Sequence, residues 1–207
     1  MTVSGSFFII LAACGAYGLL HSWLASHTAK RLAELRCGPT ARRWYRLAYS
    51  LLGGLLLLPV FVLVWQLPDR LIYRIPFPCL LLTGLAQLAA AFGLLYGVLQ
   101  TGGLRFVGLR QALNDGGGEP LIDGRRPEEL VISGLYRWVR HPLYSCGLMI
   151  LWLTPVMSWN VLALALGLSA YILIGIRFEE RKLLAEFGQA YADYQRRTPA
   201  LLPRLRR

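Results

Sequence analysis

The sequence predicts an all-α, polytopic membrane protein of about five transmembrane helices, the last two a helical hairpin, followed by an amphipathic C-terminal helix on the cytoplasmic side. Composition is the first reason: 56% of the 207 residues are hydrophobic, 16% are charged and the mean hydropathy is +0.47, a balance rare in soluble domains. The second is that apolar stretches close to the ~20 residues needed to cross the bilayer core recur along the chain. The third is the placement of the charges. The net charge is +11, and the basic residues gather between and after the apolar stretches. Orientation in a membrane requires that pattern, so no nucleic-acid partner is expected.

The expected spans are 6–25, 47–67, 76–99, 143–158 and 160–178. No charged side chain precedes Lys30, so the first span lacks the basic flank of a cleaved signal and reads as a retained anchor. The second and third carry Gly53, Gly54, Gly93 and Gly97, which permit close helix packing within or between chains and leave oligomeric state open. The fourth is short, contains Thr154-Pro155 and runs through Ser158-Trp159-Asn160 into the fifth, which predicts a tight hairpin. From Glu179 to Arg197, Leu183, Leu184, Phe187, Tyr191 and Tyr194 recur at roughly helical spacing among charges, which predicts an amphipathic helix.

Three segments are rich in Lys and Arg: the expected loops 26–46 and 100–142 and the tail after 178, whereas 68–75 holds only Arg70 and Arg74. An odd number of spans with the N-terminus outside puts all three rich segments on one side. The positive-inside rule makes that side cytoplasmic, with the C-terminus on it. Within 100–142, Asn114 to Pro127 with Gly116-Gly117-Gly118 reads as a linker. Of the cysteines, Cys14, Cys79 and Cys146 lie in or beside spans and Cys37 in a basic loop; none has metal-ligand spacing, so no metal site is expected.

Polar and aromatic groups are densest at 133–144, SGLYRWVRHPLY, at the start of the fourth span. Pro142 suits a first helical turn, so His141 precedes a helix start whose free N–H groups favour an anion. The alternative is an interfacial belt in which Tyr136, Trp138 and Tyr144 anchor the boundary and Arg140 and His141 meet headgroups. A second cluster, Arg177-Phe178-Glu179-Glu180-Arg181-Lys182, closes the fifth span. Adjacent carboxylates at a membrane boundary need cations, donors or water, which makes Glu179 or Glu180 a partner for a ligand's hydroxyl or ammonium, or else a solvated helix end. A hairpin brings both clusters to the same end of neighbouring helices.

These runs, with Phe187-Gly188, Tyr191, Tyr194 and Pro199, resemble the C-terminal half of the isoprenylcysteine carboxyl methyltransferases and phospholipid methyltransferases. The segments LWLTPVM at 151–157, Ala170 to Gly175 and GLRQ at 108–111, together with His21-Ser22 and Ala25-Ser26, are similar to the methanethiol S-methyltransferase branch and to relatives named for nitrogen-oxide reductase genes. The resemblance implies an S-adenosylmethionine-dependent methyltransferase whose donor pocket faces the cytoplasm. By position, Glu128, Glu129, Leu130, Val131, Tyr136, His141, Pro142, Leu143, Tyr144 and Glu179 would bind the cofactor. It also implies a division of labour, with 1–100 as a three-helix acceptor-side region and 101–207 as cofactor loop, hairpin and C-terminal helix. An acceptor-binding arginine of the carboxyl methyltransferases is replaced by Gly175, with Arg177 nearby, and a usual glycine by Cys146.

Methyl transfer from a sulfonium asks the protein to align donor and nucleophile and to exclude water. A carboxylate acceptor needs no base, whereas a thiol with a pKa above about 8.5 needs deprotonation or a cationic site. His141, Tyr144 and Arg177 are the catalytic candidates, and His21 is a further group able to take a proton or simply to satisfy itself at a helix end. The expected partners are membrane lipids and a small or lipophilic methyl acceptor. Two alternatives are a lipid or isoprenylcysteine methyltransferase and a nonenzymatic membrane factor of nitrogen-oxide metabolism. A transporter is disfavoured by the scarcity of ionisable residues in the spans and the lack of duplicated halves.

Overall fold

The structure is a computed structural model that describes residues 2–103, 107–113 and 130–203. The linker Asn114 to Pro127 and the two candidates Glu128 and Glu129 lie outside the described residues. In chain order the elements are α1 (Val3–Ala25), α2 (His27–Gln66), β1 (Leu71–Arg74), α3 (Cys79–Gln100), α4 (Leu109–Leu113), a 3₁₀ turn (Gly134–Arg137), α5 (Pro142–Trp152), β2 (Val156–Ser158), α6 (Trp159–Phe187) and α7 (Gln189–Arg197). The protein is nearly all-α and integral to the membrane. Helices α1, α2, α3 and α6 are each long and apolar enough to cross a bilayer.

Three expectations change. The segment 26–46, expected as a loop, is helical: Ser26 ends α1 and its hydroxyl accepts the Ala29 amide at 3.2 Å to open α2. Its charges lower the hydropathy, but Ala, Leu, Lys, Arg and Glu are good helix formers, and the backbone leaves the helical conformation at Gly38 (φ 49, ψ -127), so that two helical pieces meet at a kink before Pro39. The expected fourth span is an 11-residue helix, roughly 16 Å long, too short to cross by itself. Helix α5 stops before Pro155, and the chain continues as β2, which pairs antiparallel with β1 through Leu71↔Ser158, Tyr73↔Met157 and Arg74↔Val156. The expected amphipathic helix from Glu179 is two pieces, because α6 continues to Phe187 and α7 begins after Gly188. At φ +53 Gly188 occupies a conformation that costs a side-chain-bearing residue energy, and it turns the chain back over the helix ends.

The two halves of the chain interleave, since α1 lies along α6 and α3 along α5. Ile10, Cys14, Val60, Ala163, Leu164 and Leu168 form the core between α1, α2 and α6. In the second pairing, a Cβ at Gly93 would lie 2.9 Å from Cys146 Sγ and one at Gly97 2.7 Å from Leu143 Cδ2. The close approach that Cys146 would obstruct is thus supplied by Gly93 on the facing helix. Outward-facing Trp65, Leu19 and Leu82 are 87%, 77% and 70% exposed, as suits helices of this length surrounded by hydrocarbon.

Polar ties define the two ends of the bundle. At one end Asp69 Oδ1 accepts the Asn160 amide at 3.0 Å, and Asn160 Nδ2 donates to the Val64 and Leu67 carbonyls at 3.2 and 3.1 Å. At the other lie Ser26, α4, the 3₁₀ turn and α7. The phenol of Tyr45 donates to the Leu24 carbonyl there, and Arg43 Nε to the Ala112 carbonyl.

Candidate active site

The second end is organised by the sequence around Pro142. Gln100, the last residue of α3, donates from Nε2 to the Ser133 carbonyl at 2.7 Å and accepts the Leu135 amide at 3.4 Å, which fixes the 3₁₀ turn to the bundle. Five residues after that turn Pro142 opens α5, whose first turn no side chain caps. The chain after α7 folds back on this helix start. Arg140 and His141 donate their amides to the Pro199 and Ala200 carbonyls at 2.8 and 3.0 Å, and Ser145 Oγ donates to the Leu201 carbonyl at 2.7 Å.

Glu179 and Glu180 face this feature in different ways. Glu180 Oε1 receives Arg140 Nε at 2.8 Å and lies 3.2 Å from His141 Nε2, while its Oε2 receives Gln195 Nε2 at 3.1 Å. The Arg140 and Glu180 side chains are 10% and 18% exposed, and Arg140 also donates to the Gln195 and Thr198 carbonyls. Such a pair, satisfied on every side, locks α5, α6 and α7 together. Glu179 is 44% exposed and, among the described residues, takes the Tyr144 hydroxyl at 2.9 Å, with His141 Nδ1 3.8 Å away. Its carboxylate keeps acceptor capacity toward a ligand.

Cover comes from α7. Tyr191 is 1% exposed and Tyr194 donates its hydroxyl to the Tyr136 carbonyl at 2.6 Å, so the helix is packed down on the site. Burial, and after it the Glu180 carboxylate, pushes the Tyr191 phenol up to about 12; burial first and Glu179 second raise that of Tyr136. Both therefore stay protonated through the neutral range.

Of the residues singled out from the sequence, the structure gathers Tyr136, His141, Pro142, Tyr144 and Glu179 at one place. His141 is 5% exposed and its ring stacks on that of Tyr144 at 5.6 Å. Leu143 faces α3, whereas Leu130 and Val131 lie in the irregular segment before the 3₁₀ turn, and among the described residues nothing ties their side chains to the site. Arg177 is not brought in: it is exposed, and two residues before Glu179 it points about 200° away around α6. Sequence reasoning gave Arg140 only the part of meeting headgroups and left Gln195 without a role. Arg140 carried a partial signal, since a carboxylate at the end of an apolar helix needs a cation, but Arg137, Arg177, Arg181 and Lys182 at the same end were equal candidates. Gln195, among Arg and Asp on a short polar helix, looks like surface.

The phospholipid methyltransferase family model matches residues 118–190, a stretch that contains Tyr136, the His141-Pro142 helix start and both carboxylates. The methanethiol S-methyltransferase of Mycobacterium tuberculosis is 32% identical over 198 residues, which cover 93% of this chain and 76% of that protein. The chain belongs to the methanethiol S-methyltransferase family. Within that family, methanethiol S-methyltransferase 2 of Bradyrhizobium diazoefficiens is 54% identical over 71 residues, 34% of this chain and 27% of that protein. The methanethiol S-methyltransferase of Pseudomonas deceptionensis is 35% identical over 154 residues, 72% of this chain and 53% of that protein. The match thus spans less than two thirds of the length of these last two relatives. No solved structure matches the chain.

Proposed function

We propose that this membrane protein transfers the methyl group of S-adenosylmethionine to a small thiol at the cytoplasmic face of a bacterial-type inner membrane, with the N-terminus outside. The observation that carries the reading is the open Glu179 carboxylate, held by Tyr144 beside the uncapped start of α5. A zwitterionic amino-acid donor bearing a ribose fits that donor set. Its ammonium or hydroxyl groups suit Glu179, and its carboxylate suits the first-turn amides of α5. Tyr136, His141, Pro142, Leu143 and Tyr144 would line the rest of the pocket; Glu128, Glu129, Leu130 and Val131 keep this role from the sequence alone.

When bound, the cofactor supplies an electrophilic methyl on a sulfonium. Tyr144 and His141 orient Glu179, the Arg140–Glu180 pair fixes the walls, and α7 with Tyr191 and Tyr194 keeps water out. The thiol acceptor is supported by the relatives' names and by Gly175, which leaves α6 without an acceptor-binding arginine there. The cytoplasmic placement is supported by Lys30, Arg31, Arg42 and Arg43 in the first half of α2, at the same end as the site. A lipid or prenylcysteine acceptor is the second reading, favoured by the phospholipid methyltransferase match.

The test is methyl transfer from labelled S-adenosylmethionine by purified protein to methanethiol, prenylcysteines and phospholipids. We expect methanethiol to be methylated at a rate that rises with pH until a protein group limits it. Methylation of a prenylcysteine with a flat profile above about pH 6, with millimolar methanethiol untouched, would replace the thiol reading by the second.

A further inference from the structure

A second polar cluster lies deeper in the bundle. His21 sits on α1, a helix without Asp, Glu, Lys or Arg, and its Nδ1 is 2.8 Å from the Tyr171 hydroxyl of α6 and 3.2 Å from the Tyr49 hydroxyl of α2. Both phenols lie within hydrogen-bond distance of that nitrogen, and in the tautomer that carries its proton on Nε2 either can donate to it. The ring is held in place. Tyr17 stacks on it at 5.5 Å, and α2 presents Gly53 where a Cβ would come within 2.7 Å of His21 Nε2.

The cluster is aligned with the site already described. Tyr171, Gly175 and Glu179 are spaced by four on α6 and share one stripe of its surface, about 12 Å from first to last. A Cβ at Gly175 would meet nothing within 4 Å, so the stripe has open space between its two polar ends.

We infer that the space over Gly175 receives the thiol, and that the Tyr171 hydroxyl takes the thiol proton while passing its own to Nδ1 of His21. This rests on the thiol reading above. In the step the S–H and Tyr171 O–H bonds break, and a new Tyr171 O–H and an Nδ1–H form. The thiolate sulfur then uses its electron pair to bond the methyl carbon as that carbon leaves the sulfonium donor, whose sulfur keeps the old bonding pair and becomes a neutral thioether. His21 afterwards releases one proton to water. Tyr171 is the group that touches the acceptor, His21 acts through it, and Tyr49 positions the ring. The titratable groups facing His21 are Tyr17 from its own helix, Tyr49 from α2 and Tyr171 from α6.

The experiment measures kcat/KM for methanethiol from pH 6 to 10, together with S-adenosylhomocysteine affinity, in wild type, His21→Gln, Tyr171→Phe and Gly175→Leu. His21→Gln and Tyr171→Phe should lose about a hundredfold in kcat/KM at pH 7. The loss should shrink about tenfold per pH unit as the thiol ionises unaided, with donor-product affinity unchanged within about twofold. Gly175→Leu should abolish thiol turnover at every pH and keep S-adenosylhomocysteine affinity, which shows that the variant is folded. A pH-independent loss in both His21→Gln and Tyr171→Phe, or a wild-type profile in either, overturns the relay while leaving the thiol reading in place. A wild-type protein that methylates no thiol removes that reading, and the relay with it.

Discussion

The two ends of the bundle use polar side chains for opposite purposes. At the β1–β2 end, Asp69 and Asn160 close a junction: the carboxylate accepts the first-turn amide of α6, and the Asn160 amide holds the last carbonyls of α2. At the α7 end the chain places two adjacent carboxylates, and only Glu180 is used for closure. Glu179, one residue away, is turned about 100° around the helix, is 44% exposed and keeps bonding capacity. A buried pair with all its bonds made holds structure together, while a partly open carboxylate beside it has capacity for a ligand.

The sharpest way to break this comparison is to exchange the carboxylates' fates. Glu180→Ala leaves Arg140 and His141 buried without their partner, and we expect a loss of about 3 kcal/mol or more, read as a large drop in the unfolding midpoint in detergent. Glu179→Ala should leave that midpoint nearly unchanged and weaken S-adenosylhomocysteine binding more than tenfold by calorimetry, the effect of losing a charge-assisted hydrogen bond of about 1.5–3 kcal/mol. His141→Ala, at a site 5% exposed and bonded to Glu180, should lose both stability and affinity. If the two glutamates gave the same result, the division between them would be wrong.

At the opposite end, Asn160→Ala removes a fully buried amide that bonds two carbonyls, and should cost about 1–3 kcal/mol of stability with no change in donor-product affinity. A loss of affinity there would mean that the ends are coupled. Smaller again is Gly188→Ala, at φ +53, which should destabilise by about 1 kcal/mol and loosen α7 from the site, detectable as faster hydrogen exchange in 189–197. The smallest effect is a pH dependence. Tyr191 has its pKa raised to about 12 when folded, so above about pH 10 the unfolded chain gives up that proton while the folded one keeps it, and stability falls as pH rises toward 12. Tyr191→Phe should flatten that alkaline slope.

What the sequence by itself determined is the solvent of the protein and the place of its candidate site. Hydropathy and the confinement of basic residues follow from one-dimensional composition, so the membrane fold and the clustering of charge at one end were legible. The run 133–144 and the Glu pair were legible too, because Pro142 marks a helix start and carboxylates are rare at the edge of an apolar span. Hydropathy did not see the helical first half of α2, since charge and helix propensity are independent properties of Lys, Arg and Glu. Only the tertiary structure decided which carboxylate stays open, that Arg140 and Gln195 close the site, that Arg177 stands outside it, and that His21 meets Tyr49 and Tyr171. Each of these is set by the angle at which a side chain leaves its helix and by which helix lies opposite, and pairings such as α1 with α6 join positions some 150 residues apart.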